Sequence, residues 1–403
     1  MSLVQNFMGM RSSLVCEPLL PLIVRQAAQA DSTRSVDPTV IATIKQTDLI
    51  RMSATRDLGG IEASIGAMAR ELEAMAGCCA STAWCLWNHL CVFHFFCAQL
   101  GPAGIESLKN IVAHREWVSF PAGAGTSVRG RVDGDEVILT GRASFASGSR
   151  YGEWAGCLFA LEQENEQPGG KPRIHFTVVR TDAPGVSVDP TWFSMSLRAS
   201  ATDHINYDNV RVPCSLLRPS RVDYRYQFRD PATPVVAQRY REDWSALSVL
   251  WLGAQAVGLA TAALADACHE LPGRVAIFGV KVADRPAVQL HIGEAAAAIS
   301  AAQAAVYAGC AETDARIEAG STPTEAEYLR QLSYSMVALR LCDDAMRLLL
   351  RVQGGNSLRE GGSFERRYRD FQAMPIHINA HPDRVAELVG KLLLGVTNDA
   401  PFQ

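Results

Sequence analysis

Residues 243–271, DWSALSVLWLGAQAVGLATAALADACHEL, carry no charged side chain between Asp243 and Asp266. A helix that is apolar on nearly every side has to be surrounded by other elements. Whatever this chain folds into must therefore supply partners on all sides of this segment. The chain offers them immediately downstream. PAVQLHIGEAAAAISAAQAAVYAGCAETDARIEAG is Ala-rich and suited to close helix packing. STPTEAEYLRQLSYSMVALRLCDDAMRLLLRVQGG opens on Thr322, Pro323 and Glu325, which read as a capping box with Pro at the first helical position. A last helix is expected from about residue 384 to residue 394. Four such helices make a bundle.

The texture before this bundle changes twice. Up to about residue 115 the periodicity is helical. GGIEASIGAMARELEAMAG spaces Ile61, Ile65, Met68 and Leu72 along one face, with Gly77 placed to close the helix. CLWNHLCVFHFFCAQL reads as a helix buried on most sides, too short and too polar to cross a bilayer. From Trp117 to about Pro213 come short runs rich in Val, Thr, Phe and Ile. Asp133-Gly134 marks a hairpin, RIHFTVV a strand and QENEQPGGKP a solvent loop. The expected fold is α+β, mostly α. It has an N-terminal helical domain (1–115), a central antiparallel β domain (116–220) and a C-terminal four-helix bundle (221–403).

Charge excludes several classes. A net charge of −4 with scattered Lys and Arg carries no nucleic-acid footprint and no affinity for an anionic membrane surface. The 11 cysteines include Cys79, Cys85, Cys91 and Cys97 at six-residue spacing. Each step turns a helix by about 240°, so these thiols fan out and share no metal. Reduced thiols, no CxxC pair and no N-terminal signal pattern point to a cytoplasmic protein.

Two stretches carry candidate chemistry. PAGAGTS lacks the GK[ST] of a phosphate loop and opens no helix. In FASGS, Ser147 and Ser149 stand among small residues that let a planar ligand approach. In RRYRDFQAMPIHINAHPD, His377 and His381 are four apart, but Pro375 and Pro382 break the helix that an H-x-x-x-H zinc pair needs. No metal is expected. His381 precedes Pro382-Asp383 and reads as the start of the final helix.

PAGAGTS…VDGDEVILTGRASFASG resembles the β-domain signature of the acyl-CoA dehydrogenase fold. SLRASATDHINYDNVRVP (196–213) resembles that domain's exit, and RDLGGIEAS near residue 56 the family's entry segment. RVQGGNSL…ERRYRD (351–370) resembles its Gly-Gly-Asn and Arg-Asp segment. The resemblance runs through nearly the whole chain in order. It implies an FAD or FMN site between sheet and bundle, with Ser147 near flavin N5, Phe145 against the ring, and Trp84 and Ser149 beside it. Arg274 and the turn Gly354-Gly355-Asn356 would meet the phosphate or adenine of a flavin from a neighbouring copy of a homotetramer. Arg274 sits one residue off the family's Arg-x-x-Phe-Gly spacing.

Dehydrogenases of this fold commonly carry a proton-abstracting Glu in the last loop. Here that slot holds Ile378, which takes no proton, beside His377. ASTAWCLWNH (80–89) resembles the Ser-Thr-x-Trp helix of the two-component flavin monooxygenases, a branch that uses a histidine in this loop. The resemblance therefore implies an oxygenase using reduced flavin from a separate reductase and O2, through a C4a-hydroperoxyflavin, on a small aromatic or heteroaromatic substrate. His377 would be the catalytic base or orienting group, Ser147 the flavin N5 contact and His89 a residue reaching the pocket. The alternative is a dehydrogenase, oxidase or oxygenase of CoA thioesters with Glu242 or Glu360 as base.

Overall fold

The computed structural model describes residues 3–9, 13–121, 127–162, 174–220 and 234–396. Eleven α-helices and eight strands are found among them. The first zone holds α1 (Leu3–Phe7), α2 (Leu20–Thr33), α3 (Pro38–Gln46), α4 (Ile65–Cys78), α5 (Ala80–Leu100) and α6 (Ile105–Ala113). The strands follow: β1 (Val118–Ser119), β2 (Val128–Asp133), β3 (Glu136–Ala146), β4 (Trp154–Leu161), β5 (Ile174–Arg180), β6 (Val186–Asp189), β7 (Asp203–Pro213) and β8 (Arg218–Pro219). The chain ends in α7 (Trp244–Glu270), α8 (Pro286–Glu318), α9 (Glu325–Gln353), α10 (Ser363–Phe371) and α11 (Pro382–Leu393).

Helix α7 has the length and apolarity to cross a membrane, yet 94% of its apolar window is buried inside the protein. Its neighbours are α8 and α9 from its own zone, α10, and α4 and α5 from the first zone. The helical core is thus shared between the two ends of the chain. Close approach of α4 and α7 rests on glycine: a Cβ at Gly258 would stand 1.9 Å from the Glu73 carbonyl oxygen. A Cβ at Gly77 would stand 3.2 Å from the carbonyl oxygen of Gly258. Gly77 therefore serves helix crossing inside α4 rather than closing the helix, and Ile61 lies ahead of the Ser64 cap. The capping box of α9 is Thr324 with Glu327, two residues later than the sequence pattern indicated, and Pro323 precedes the cap.

The sheet runs β6-β7-β3-β2-β4-β5-β8, with β1 on β4. It is mixed, which corrects the antiparallel expectation: β4 is parallel to both β1 and β2. The hairpin β2–β3 pairs Asp133 with Glu136 across a two-residue loop in which Gly134 has φ +65°. QENEQPGGKP and residues 122–126 of PAGAGTS lie outside the described residues. Helix α5 is buried along its length except at Asn88. Burial raises the thiol pKa values of Cys85 and Cys91 on this helix and of Cys79 at its N-cap.

Candidate active site

Three elements converge around one pair of tryptophans. Trp84 and Trp87 lie one turn apart on α5, with ring centroids 4.5 Å apart. The Trp87 indole N–H donates to the Ser248 carbonyl on α7 at 2.8 Å. The Trp84 indole N–H donates to Ser147 Oγ, just past β3, at 3.0 Å. The third element is the loop between α10 and α11. It carries His377, whose ring meets Trp87 edge-on at 5.4 Å and Trp84 at 5.8 Å.

That loop is anchored at its start. Asp370, at the end of α10, accepts the Leu197 N–H at 2.6 Å, and Ser196 Oγ donates to the Asp370 carbonyl. Leu197 adopts a left-handed conformation (φ 48°), unusual for a branched side chain. Arg369 pairs with Asp31 and Glu365 and donates to the Met195 carbonyl. Burial pushes the Asp370 carboxyl up to about 7. The Arg-Asp pair thus ties the His377 loop to the segment between β6 and β7.

Ser147 is only 5% exposed. A hydroxyl offers one donor and two acceptor positions. Trp84 fills one acceptor position, and Thr202 Oγ1 lies 2.9 Å away, itself 2.7 Å from Ser200 Oγ. With the Ser147 proton directed to Thr202, one lone pair is left to accept an N–H from a ligand. Beside it the buried Trp117 Nε1–H has no acceptor among the described residues. Gly148 (φ +73°) keeps this spot open, since a Cβ there would stand 3.1 Å from Trp117 Nε1. Phe145 (φ +66°) turns its ring outward and is 57% exposed, with Trp192 6.4 Å away. An exposed aromatic face, a leftover acceptor and an unused indole donor on one edge fit a planar group bearing N–H and C=O, such as an isoalloxazine.

His377 is half-buried, and desolvation, with a smaller push from Arg384, lowers its pKa to about 4. The Asn379 N–H approaches Nδ1 at 3.3 Å. A nitrogen that accepts carries no proton, so the neutral ring bears its proton on Nε2. The side chain is thereby set up as a neutral donor.

His89 answers differently. Its Nδ1 accepts the Val118 N–H at 3.1 Å and its Nε2 donates to the Ile50 carbonyl at 2.8 Å. Both nitrogens are committed and burial lowers its pKa to about 4. His89 staples α5 to β1 and to the turn before α4, which corrects its assignment as a catalytic residue. Ser149 is similarly committed: its N–H and its Oγ–H both go to the Ala201 carbonyl.

Arg274 and the glycine turn come together at the far end of α7. Arg274 donates to the Gln353 carbonyl at 2.6 Å, and its guanidinium lies against Gly354, the C-cap of α9 (φ 68°). The Asn356 side chain lies outside the described residues. From Ser248 to Glu270 the helix climbs about 33 Å at about 1.5 Å per residue, so this cluster is remote from the tryptophans. His381 is the N-cap of α11, without a side-chain bond.

The carboxylates also have clear places. Glu242 is buried and held by both oxygens to Arg316, at 2.8 and 2.7 Å, with Gln331 completing the site. Glu360 is exposed in the link between α9 and α10. On α7 no Asp or Glu occurs before Asp266.

The solved structure of XiaF from Streptomyces sp., in complex with FADH2 and glycerol, superposes with a TM-score of 0.84, covering 100% of this chain and 98% of that one at 18% identity. The chain has the acyl-CoA dehydrogenase fold. Residues 250–382 match the acyl-CoA dehydrogenase C-terminal domain. Cyclohexane-1-carbonyl-CoA dehydrogenase of Geobacter metallireducens is 26% identical over 372 residues, 89% of this chain and 90% of the relative. The oxygenase component of p-hydroxyphenylacetate 3-hydroxylase of Acinetobacter baumannii is 22% identical over 397 residues, 95% of this chain and 89% of the relative.

Proposed function

We propose that the chain is the oxygenase component of a two-component flavin-dependent monooxygenase. It takes reduced FAD or FMN from a separate flavin reductase and inserts one oxygen atom of O2 into a small aromatic or heteroaromatic molecule. The observation that carries this reading is the ring of His377 against Trp84 and Trp87, in a place where no carboxylate stands among the described residues. Desaturation of a CoA thioester needs a base for the α-proton. Glu242 is locked to Arg316, Glu360 is exposed, and the stretch of α7 that meets Trp87 has no acid.

Trp84, Phe145, Ser147 and the segment around Gly148 would hold the isoalloxazine, which when bound supplies the oxygen-transfer chemistry. The protein's residues do the rest. Ser147, held by Trp84 and Thr202, would accept an N–H of the bound isoalloxazine. The tryptophans and the anchored loop keep water out, which strengthens each polar contact. His377 donates from Nε2 to a substrate oxygen, orienting a phenol or stabilising the phenolate.

The same reading places the protein in the cytoplasm as a homotetramer of three-domain subunits (1–115, 116–220, 221–403). The remoteness of Arg274 and Gly354-Gly355 from Trp87 supports their meeting a flavin bound mainly by another copy. The test supplies reduced flavin from any NADH-dependent reductase, O2 and a panel of phenols and indoles, in parallel with acyl-CoA esters and a dye acceptor. Hydroxylated products with no dye reduction are expected; dye reduction by an acyl-CoA would overturn the reading.

A further inference from the structure

Gln255 stands in the middle of α7 with no exposed surface. Neither Oε1 nor Nε2 of its amide has a hydrogen-bond partner among the described residues. Thr261 Oγ1 on the same helix is also buried without a partner among the described residues, whereas polar side chains nearer the start of the helix are satisfied. Asp243 caps it, Ser248 Oγ returns to the Ser245 carbonyl and Trp251 Nε1 donates to the Ile65 carbonyl. A buried amide with both ends unspent is costly to the fold, and native proteins retain few of them. Leu or Met would fill the position without that cost.

Helix geometry says where the amide faces. At about 100° per residue, Gln255 points roughly 160° away from Gly253, which opens onto Val306 of α8 and Ser335 and Ala338 of α9. It points roughly 60° from Gly258, which faces α4, and roughly 20° from Ser248. Along α4 and α5, Gly77 meets Gly258 and Ala262, whereas Trp87 meets Ser248. Helix α5 therefore runs antiparallel to α7, and its first turn, Ala80–Trp84, lies opposite Gln255. Two helical turns, about 10.5 Å along the axis, separate Gln255 from the Ser248–Trp87 contact, and the His377 ring lies against both Trp87 and Trp84.

We propose that Gln255 is a specificity-determining residue. Its amide pairs with a donor and an acceptor set side by side (a lactam, or a ring N–H next to a carbonyl) at the distal end of a fused-ring substrate whose hydroxyl end lies at His377. This rests on the oxygenase reading, but its test needs no turnover. Two probes share a phenolic end and differ at the far end: 6-hydroxy-2-quinolinone, which has the adjacent N–H and C=O, and 2-naphthol, which has neither.

Equilibrium dialysis of the full chain without flavin should show the quinolinone bound about tenfold more tightly, the worth of one or two hydrogen bonds to a buried amide. Gln255→Leu should remove that preference while keeping or raising the melting temperature; Gln255→Met repeats the test should the Leu variant not fold. Equal binding, no binding of either probe, or a preference that survives both substitutions overturns the proposal. Hydroxylation of 2-naphthol with no binding preference would sink Gln255 alone. Preferential binding without oxygen insertion would sink the activity and leave Gln255 standing.

Discussion

Trp84 donates its indole N–H to Ser147 Oγ at 3.0 Å, joining a buried helix to the end of a strand. The bond decides what Ser147 can still do. With one lone pair taken, a Ser147 proton turned to Thr202 leaves the hydroxyl only an acceptor position for a ligand.

Trp84→Phe keeps the packing and removes that donor. Freed from its orienting bond, Ser147 should hold the flavin N5–H less well, at a cost of about 0.5–1.5 kcal/mol. The measurement is hydrogen peroxide released per product formed, expected to rise roughly 2- to 12-fold on that scale. Ser147→Ala should raise it at least as far. Unchanged coupling in both variants would remove this pair from the site.

His377→Ala should cut product formation by about 10²- to 10³-fold, the cost of losing one positioned donor, while reduced flavin still binds. The Nε2–H role makes a finer prediction: His377→Gln, which retains an N–H donor, should keep more activity than His377→Ala. The lowered imidazole pKa, about 4, leaves the ring neutral across the usual assay range. The rate should show no limb near pH 6.5 from this residue, and a limb there that vanishes in His377→Gln would count against the donor role.

The outline of the fold was legible because it rests on local pattern. The apolar run of α7, the Asp133-Gly134 signal and the all-round apolarity of α5 each act over a few turns. Strand order was not legible, since the parallel pairing of β4 with β1 and β2 joins residues with no local signature. Gly77 misled for the same reason: a glycine near a helix end reads as a stop, and only the approach of Gly258 reveals a crossing. In the site, the His377 loop could be singled out from its prolines and its Arg-Asp lead. The commitment of His89 to Ile50 and Val118 could not, because both partners are backbone groups whose positions depend on tertiary packing.

Glu242 and Arg316 form a buried bidentate pair. Glu242→Ala leaves a buried guanidinium without its carboxylate, which costs about 3–5 kcal/mol. The melting temperature should fall sharply, with activity per folded molecule nearly unchanged. Lost activity in a variant of normal stability would return Glu242 to the list of catalytic candidates.

Asp370 has a folded-state pKa raised to about 7 from an ordinary 3.8. The folded protein therefore binds the extra proton more readily than the unfolded chain between those values. The stability this group contributes is present below about pH 4 and is lost as pH rises towards 7. Asp370→Asn should flatten the slope of melting temperature against pH across that window. A slope unchanged from wild type would mean the carboxyl titrates as it does in water.

The most direct measurement uses oxygen-18 gas with reduced flavin and a phenolic substrate, followed by mass spectrometry of the product. The account predicts one labelled oxygen atom per product molecule, and loss of that product in His377→Ala with flavin binding intact. Product oxygen drawn from water, or acyl-CoA oxidation with no labelled product at all, would contradict it.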